Sequence, residues 1–400
     1  MIIKGKTTSA EIFTDNIEES AMQWVTGLCD HPAMQGIPIV QMPDVHAGNL
    51  CNVGTAYPVG IYVNPEHIGV DIGCTVSIHR LSVTLNHDDF ALLDHRIREA
   101  IPMGTEICAR NSLNEKELFR FLNSQYQKAR SAAPDLINEA SSRIDARFVT
   151  DFCRRIKLQE GIFYKSLGTL GGGNHFIEYG EAEDGGDGWL TIHCGSRNLG
   201  VKVANHWRNI AQNPKRAKYA GFLWGDALRG YLSDMAVAQA YALYSHHIIR
   251  DRVFAIMRKM CKCKCEESIF TTHNYISLAD ETPILRKGAI DASEGRKVVI
   301  PFNMRDGIAI CMGKGNEQWL CTAPHGAGRI MSRAQARKQL SISEFEGAMD
   351  GVFSTSVCEA TIDESPMAYK STEEILNQIK PTVEVISMIR PKLNIKANGE

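Results

Sequence analysis

The sequence predicts an α+β protein: one large domain over residues 1–400, with mixed β-sheets gathered around a central site and helices outside. Short β-branched runs alternate with helical periodicity, in an order that is neither a clean βαβ repeat nor a meander. No linker rich in Pro, Gly and Ser and no fixed-period repeat divides the chain. Glycine-rich, histidine-bearing stretches lie at 41–80, 166–200, 271–276 and 322–333, and the helical segments between them hold few candidate ligands.

Taken in order, Ile37–Gln41, Gly60–Val63 and Val76–Leu81 read as strands, from their β-branched and aromatic content. Asn86–Ile101 starts with cap-type residues, spaces Phe90, Leu93, Ile97 and Ile101 by three and four, and stops before Pro102, which predicts an amphipathic helix. Asn114–Ala132 and Pro134–Arg155 repeat that pattern. Glu183–Gly188, three acids among glycines, predicts a hairpin loop leading into a strand at Trp189–His193. A mostly helical segment spans about 201–262, its longest helix being Asp226–Met260 with a stripe of Leu228, Leu232, Met235, Val237, Ala240, Leu243 and Ile248. Lys297–Pro301, Gly307–Met312 and Gln318–Cys321 complete the expected strands.

Composition narrows the class without naming a function. A hydrophobic fraction of 44% with 22% charged residues excludes a fibrous, collagen-like or wholly disordered chain. The net charge of −2 means that a polyanion partner has to be held by a local patch. The N-terminus shows no leader pattern, no apolar run approaches the ~20 residues of a membrane helix, and the 12 cysteines are scattered; together these predict a cytosolic protein with free thiols.

The chemistry-bearing residues form a pattern. In Gly69-Val-Asp-Ile-Gly-Cys74, Asp71 and Cys74 sit three apart in a glycine-flanked turn, where a carboxylate oxygen and a thiolate can converge on one ion. Alone, this reads equally well as a turn-capping acid and a buried thiol. His175, His193, His273 and His325 each lie beside glycine or small polar residues or at the end of a strand, where an imidazole can face a cleft. Each taken singly is an ordinary structural histidine; four together with the Asp71/Cys74 turn point to a mixed O, N and S site for Mn²⁺, Zn²⁺ or Fe²⁺, and a shared thiolate allows two ions, an arrangement suited to phosphoryl chemistry. Gly326, Ala327 and Gly328 leave backbone N–H groups open beside His325, and Arg329 offers a phosphate-matching fork. His325 is therefore either a nucleophile attacking a nucleotide phosphate or one more metal ligand.

MPDVH, GVDIGC, LGTLGGGNHFIE, HCGSR, HNY, HGAGRxMSR and Pro366-Met-Ala-Tyr-Lys370 occur in the order found in the RtcB-type RNA ligases, which the sequence resembles from about residue 40 onward. The resemblance implies a GTP- and Mn²⁺-dependent ligase that joins an RNA 3′-phosphate, or a 2′,3′-cyclic phosphate after hydrolysis, to a 5′-hydroxyl. His325 would take GMP from GTP and pass it to the RNA 3′-phosphate, giving that end a leaving group for the 5′-hydroxyl to displace. By the same resemblance Cys74 bridges two metals, with His193 and His273 completing one set of ligands and Asp71 and His175 the other. Asn174 contacts triphosphate or metal; Phe176, Glu178, Tyr369 and Lys396 form the guanine pocket, with Gly326, Ala327 and Gly328 also at the nucleotide. Arg197 and Arg329 hold RNA phosphate, and Asp44 and His46 sit behind the ligands or at the RNA end.

Three departures from the family pattern stand out. Asn49-Leu50-Cys51 follows MPDVHAG where the family has a Lys-Gly pair, removing a cation near the site. Ile300-Pro-Phe-Asn-Met-Arg305-Asp-Gly-Ile308 replaces IPxxMGxxS, so a base-contacting serine becomes Ile308, which bears on guanine selectivity. The ending Lys396-Ala-Asn-Gly-Glu400 runs past the usual Lys-Gly.

Other features read as ordinary surface. Cys261-Lys-Cys-Lys-Cys265 alternates as a strand would, placing three thiols on one face at a solvent edge rather than on a metal. The basic runs 154–157, 214–218 and 333–338 could follow RNA phosphates, the last being best placed because it follows HGAGR. Two rival functions remain from the residues: a dinuclear phosphoesterase acting on RNA cyclic phosphates, and a non-catalytic RNA-end binder.

Overall fold

A computed structural model describes residues 1–48, 50–111, 113–137, 143–213, 219–278 and 282–399, and shows a mixed α/β domain with helices around several sheets. The largest sheet has seven antiparallel strands in the spatial order Lys297–Asn303, Gly307–Gly313, Val383–Ile395, Phe176–Ala182, Gly188–Cys194, Cys74–Leu81 and Cys265–His273. Its two edges curl toward each other: Val299 N donates to Thr271 Oγ1 at 3.0 Å, and Lys297 pairs with Glu267. The sheet is thus close to a barrel, which leaves little edge open. Pro391 has no N–H to give to the ladder, and it sits where the register shifts between Pro391 and Leu393.

A second, six-stranded sheet runs in the order Ile2–Lys4, Ser9–Ile12, Ile39–His46, Val53–Pro58, Ile284–Lys287, Tyr275–Ser277, and Ala289–Asp291 pairs separately with Thr322–Pro324. Asn274 joins the two large sheets. It holds a φ of +58° between His273 and Tyr275, and its Oδ1 accepts from Gly288 N at 2.9 Å. Asparagine tolerates the left-handed region better than most residues.

The helix Gly225–Cys261 crosses behind the Cys74–Leu81 and Gly188–Cys194 strands. Its buried surface is wider than the expected stripe, since Tyr231, Tyr241 and Ile249 are buried as well as Leu228, Leu232 and Met235. A helix enclosed on several sides carries little amphipathic signal. Glu115–Ala132, Ala146–Ile156 and Arg197–Ala211 share its apolar core, and Phe90–Ala100 packs in a second core against the sheet.

Several expectations need correction. Gly60–Val63 forms no strand; Val63 makes one isolated bridge to Leu223. Gln318–Cys321 is a 3₁₀ turn at Glu317–Trp319 followed by a strand at Thr322–Pro324, because Trp319 stacks on Phe13 with ring centroids 3.9 Å apart. The helix expected over Pro134–Arg155 is Ala146–Ile156, with residues 138–142 outside the described set. The three thiols do not share a face: Cys261 ends the long helix, Lys262 turns left-handed at φ +53°, Cys263 is buried, and only Cys265 is exposed at the start of a strand. Asn49 and the basic run 214–218 also lie outside the described residues. No helix among the described residues is long and apolar enough to cross a membrane.

Candidate metal and nucleotide site

Sheet register gathers the expected donors. Cys74 pairs with His273, Val76 with His193, and His193 with Phe176. Cys74 and Val76 are two apart on one strand, and facing residues share a face, so Cys74, His193, His273 and Phe176 all point the same way. His175 enters one residue before its strand begins, and Asp71 lies in the turn before Cys74.

The side chains then form a continuous line. Asp71 Oδ2 lies 3.0 Å from His175 Nε2, which is 3.4 Å from Cys74 Sγ. Cys74 Sγ is 3.1 Å from His193 Nε2, which is 3.4 Å from His273 Nε2. Cys74, His175 and His193 form a buried group whose ligand atoms all lie within 4.8 Å of one another. His193 Nδ1 donates to the Asn174 carbonyl at 3.0 Å, which aims the Nε2 lone pair at the cluster. Asp71 is also bound, through Oδ1, by Ser196 N at 2.9 Å.

Electrostatics suit a cation here. Burial holds His193 and His273 well below the ordinary histidine pKa, with neighbouring imidazoles and cations adding to it, so both stay neutral and keep a lone pair. Burial pushes the Cys74 thiol up, and the Asp71 charge pushes it further. Burial would raise Asp71 as well, but the hydrogen bonds from His175 and Ser196 outweigh it and hold the carboxyl low. Mixed O, N and S donors with neutral imidazoles fit a borderline divalent ion.

His325 lies beside this line, its ring centroid 4.8 Å from that of His273. Its Nδ1 is 2.8 Å from Oδ2 of the buried Asp44. A carboxylate oxygen accepts, so Nδ1 carries a proton, and the tautomer this contact selects for the neutral ring is the one with its lone pair on Nε2. His46 Nδ1 turns back to the Asp44 carbonyl at 2.8 Å, and burial lowers its pKa to about 4. Gly328 holds a φ of +76°, and a Cβ there would strike the Asp44 backbone carbonyl, so glycine is what lets the two segments meet.

A cavity of about 780 Å³ opens from His193, His273 and His325 and is lined by Asn174, Phe176, Glu178, Gly326, Ala327, Gly328, Arg329, Tyr369 and Lys396. Its volume suits a nucleotide-sized ligand. Phe176 and Glu178 on one strand, with Asn394 pairing opposite Glu178 and Lys396 after it, make one face. Glu178 accepts from Asn394 Nδ2 at 2.7 Å, and burial lifts its pKa to about 8 against that bond and the Lys396 charge. Lys396 Nζ lies 3.1 Å from Glu364 Oε2 and 5.7 Å from the Phe176 ring centroid. Burial opposes the charge on Glu364, but Lys396, Arg333 and Arg329 hold its pKa at about 2.

Sequence reasoning missed Glu364, Asn394 and Lys287 on this wall. None belongs to a glycine- or histidine-marked stretch, although two-residue alternation back from Lys396 does reach Asn394. Ile308, in place of the family serine, does line the cavity.

The two arginines part company. Arg329 is on the cavity wall, but its guanidinium bonds the Met331 carbonyl at 3.0 Å, the Asp363 carbonyl at 2.5 Å and Tyr369 Oη at 3.2 Å. Arg197 is off that wall, bonded to Thr169 Oγ1 at 3.1 Å and the Gly104 carbonyl at 2.6 Å, and it packs under Gly171 where a side chain would clash. In the basic runs, Arg155 is bound by Asp234 through two bonds, and Arg333 by Asp363 and Glu364.

The family described as tRNA-splicing ligase RtcB matches residues 28–397. The RNA-splicing ligase RtcB of Escherichia coli K12 is 30% identical, with 90% of each chain covered. The tRNA-splicing ligase RtcB of Aeropyrum pernix is 27% identical over 86% of this chain and 84% of its own, and that of Nanoarchaeum equitans is 26% identical over 90% and 88%. Covered almost throughout by one family, and similar at this level to its bacterial and archaeal members, the chain belongs to the RtcB family of RNA-splicing ligases.

Proposed function

We propose that this protein is a GTP-dependent ligase that joins RNA 3′-phosphate or 2′,3′-cyclic phosphate ends to 5′-hydroxyl ends, working with manganese through a His325–GMP intermediate. The observation that carries this reading is the buried Asp44 carboxylate on His325 Nδ1 at 2.8 Å, with the imidazole on the wall of a nucleotide-sized cavity. A histidine whose Nδ1 proton is held by a carboxylate presents a fixed, neutral Nε2 as nucleophile.

In this reading the cavity orients GTP, with Phe176, Glu178, Tyr369 and Lys396 around the base and the Gly326–Gly328 backbone beside the phosphates. His325 Nε2 forms a bond to the α-phosphorus as the bond to pyrophosphate breaks. A 2′,3′-cyclic end is first opened by water, which bonds to phosphorus as the P–O2′ bond breaks and the 2′-oxygen takes a proton; the RNA 3′-phosphate oxygen then takes the GMP and frees Nε2, and the 5′-hydroxyl oxygen attacks the RNA phosphorus and expels GMP, its proton passing to solvent. Asp44 keeps the ring in one tautomer through both transfers. Cys74, His193 and His273 would hold one manganese ion, and Cys74, Asp71 and His175 a second; bound there, the ions supply charge neutralisation for phosphate oxygens. Asn174 and Arg329 lie where triphosphate or RNA phosphate would pass, and Arg197 would act from behind the Gly171 turn. The setting is expected to be cytoplasmic.

A phosphoesterase using the same ligands has no need of an oriented nucleophilic histidine or a base-sized pocket beside it. The discriminating test is incubation with α-phosphate-labelled GTP and Mn²⁺. An acid-labile, base-stable label on His325, followed by joining of 3′-phosphate but not 3′-hydroxyl RNA, supports the ligase. No label, with cyclic-phosphate hydrolysis retained, supports the phosphoesterase instead.

A further inference from the structure

We infer that Lys370 is a positioning residue for the His325 nucleophile, because this one residue ties together the two segments that carry Asp44 and His325; the inference rests on the nucleotide-transfer reading above. Lys370 is buried. Its ammonium donates to the carbonyls of Pro43 at 2.9 Å and Val45 at 3.0 Å, the residues on either side of Asp44, and to that of Asn16 at 2.7 Å. Its backbone N–H donates to the Gly328 carbonyl at 3.0 Å, three residues beyond His325. Side chain and main chain of Lys370 therefore hold opposite sides of the Asp44–His325 contact.

The arrangement has a physical rationale. The Asp44 carboxylate is buried with Oδ2 on His325, while its Oδ1 has no hydrogen-bond partner. Nothing else in its own hydrogen bonding fixes the rotation of that carboxyl, so the backbone at Pro43 and Val45 has to. An ammonium is well suited to this because its three donors diverge and can each take a carbonyl. Its charge also faces Asp44, together with the carboxylates of Glu18 and Glu374, which offsets part of the cost of burying the Asp44 charge. Lys370 does not line the cavity, so it acts on the nucleophile only through Asp44 and the Gly328 loop.

The experiment is a double-mutant cycle on single-turnover GMP transfer to the full-length protein. Lys370→Met should lower the transfer rate about 10- to 100-fold at saturating GTP, the scale expected when a reacting group is misplaced by an ångström or so, with half-saturating GTP unchanged. In an Asp44→Asn background the same change should cost less than about twofold, since the contact it supports is already gone. Losses that multiply, or a loss confined to GTP affinity, overturn the inference. Should Lys370→Met fail to fold, Lys370→Gln, polar but uncharged and shorter, replaces it in the same cycle with the same criteria. A wild-type chain that takes no label from GTP defeats the nucleotide-transfer reading. Lys370 is then judged by the Nδ1 proton of His325, whose downfield resonance should be present in the wild type and lost in Lys370→Gln; its persistence overturns the inference.

Discussion

Asp44 and His325 stand 281 positions apart in sequence, yet their side chains meet at 2.8 Å, one from a strand of the six-stranded sheet and one from the loop after Thr322–Pro324. The contact depends on tertiary structure alone, and it fixes which imidazole nitrogen faces the cavity.

Asp44→Asn should therefore keep the fold and lose nucleotide transfer. An amide at this position can donate to Nδ1 and so favour the wrong tautomer. Labelling of His325 by GTP is expected to slow by about 10²- to 10⁴-fold, as for loss of a positioned acid–base partner, with metal content unchanged by elemental analysis.

Cys74→Ser tests the shared ligand. The Cys74 sulfur sits between His175 at 3.4 Å and His193 at 3.1 Å, so its loss should weaken both halves of the cluster together. Bound manganese per chain is expected to fall toward zero rather than by one ion; retention of two would contradict the bridging role.

Glu178 gives a pH signature of the opposite sense to most carboxylates. Burial raises it from 4.5 to about 8, so the folded chain holds a proton that the unfolded chain has released. Stability should decline as pH rises from 4.5 to about 8 and level off above that, and Glu178→Gln should remove this slope in urea titrations. Half-saturating GTP should fall as pH rises through 8 if the carboxylate accepts guanine N–H groups, and Glu178→Gln should abolish that trend.

Buried histidines add a slope in acid. Burial holds His67 and His79 at about 3 each, against 6.5 when unfolded. As pH drops below 6.5 the unfolded chain takes up protons that the folded chain refuses, so stability is lost progressively until about 3. His79→Gln should reduce that slope by one proton, about 1.4 kcal/mol per pH unit, read from denaturation midpoints.

Gly328→Ala should damage the same contact as Asp44→Asn by another route. The Cβ meets the Asp44 carbonyl in a left-handed backbone, so a loss of about 1–3 kcal/mol of stability and slower labelling are expected together.

Much of the site could be read from local sequence, and the reason is physical. Asp71, Cys74, His175, His193, His273 and His325 lie among glycines and small residues because strands have to end and approach closely where they meet. Register then brings Cys74, His193 and His273 to one face, and the adjoining turn and loops bring Asp71, His175 and His325 to it. Glu364, Asn394 and Lys287 carry no such mark; they reach the cavity only through pairing of distant segments. Lys370 ends a motif that the resemblance singled out, but its part in holding the Asp44 segment shows only in its bonds. The misread strands have a similar cause. Gly60–Val63 has the residue types of a strand but only one bridge partner, and Trp319 found a stacking partner in Phe13 that no window around it contains. The helices at Glu115–Ala132 and Gly225–Cys261 were legible to within one residue at each end from their apolar spacing, whereas the stretch 134–155 holds a much shorter helix, Ala146–Ile156, than its composition suggests.

The pairing of Cys74 with His273 and of Val76 with His193 has one further outcome. Backbone hydrogen bonds, rather than any ion, bring the donors together, so removing metal with a chelator should leave the chain folded and ready to be refilled. That sets it apart from small domains that collapse when stripped of zinc. On the metal-dependent reading proposed above, stripped protein should regain its activity when the ion is returned, without passing through an unfolded state.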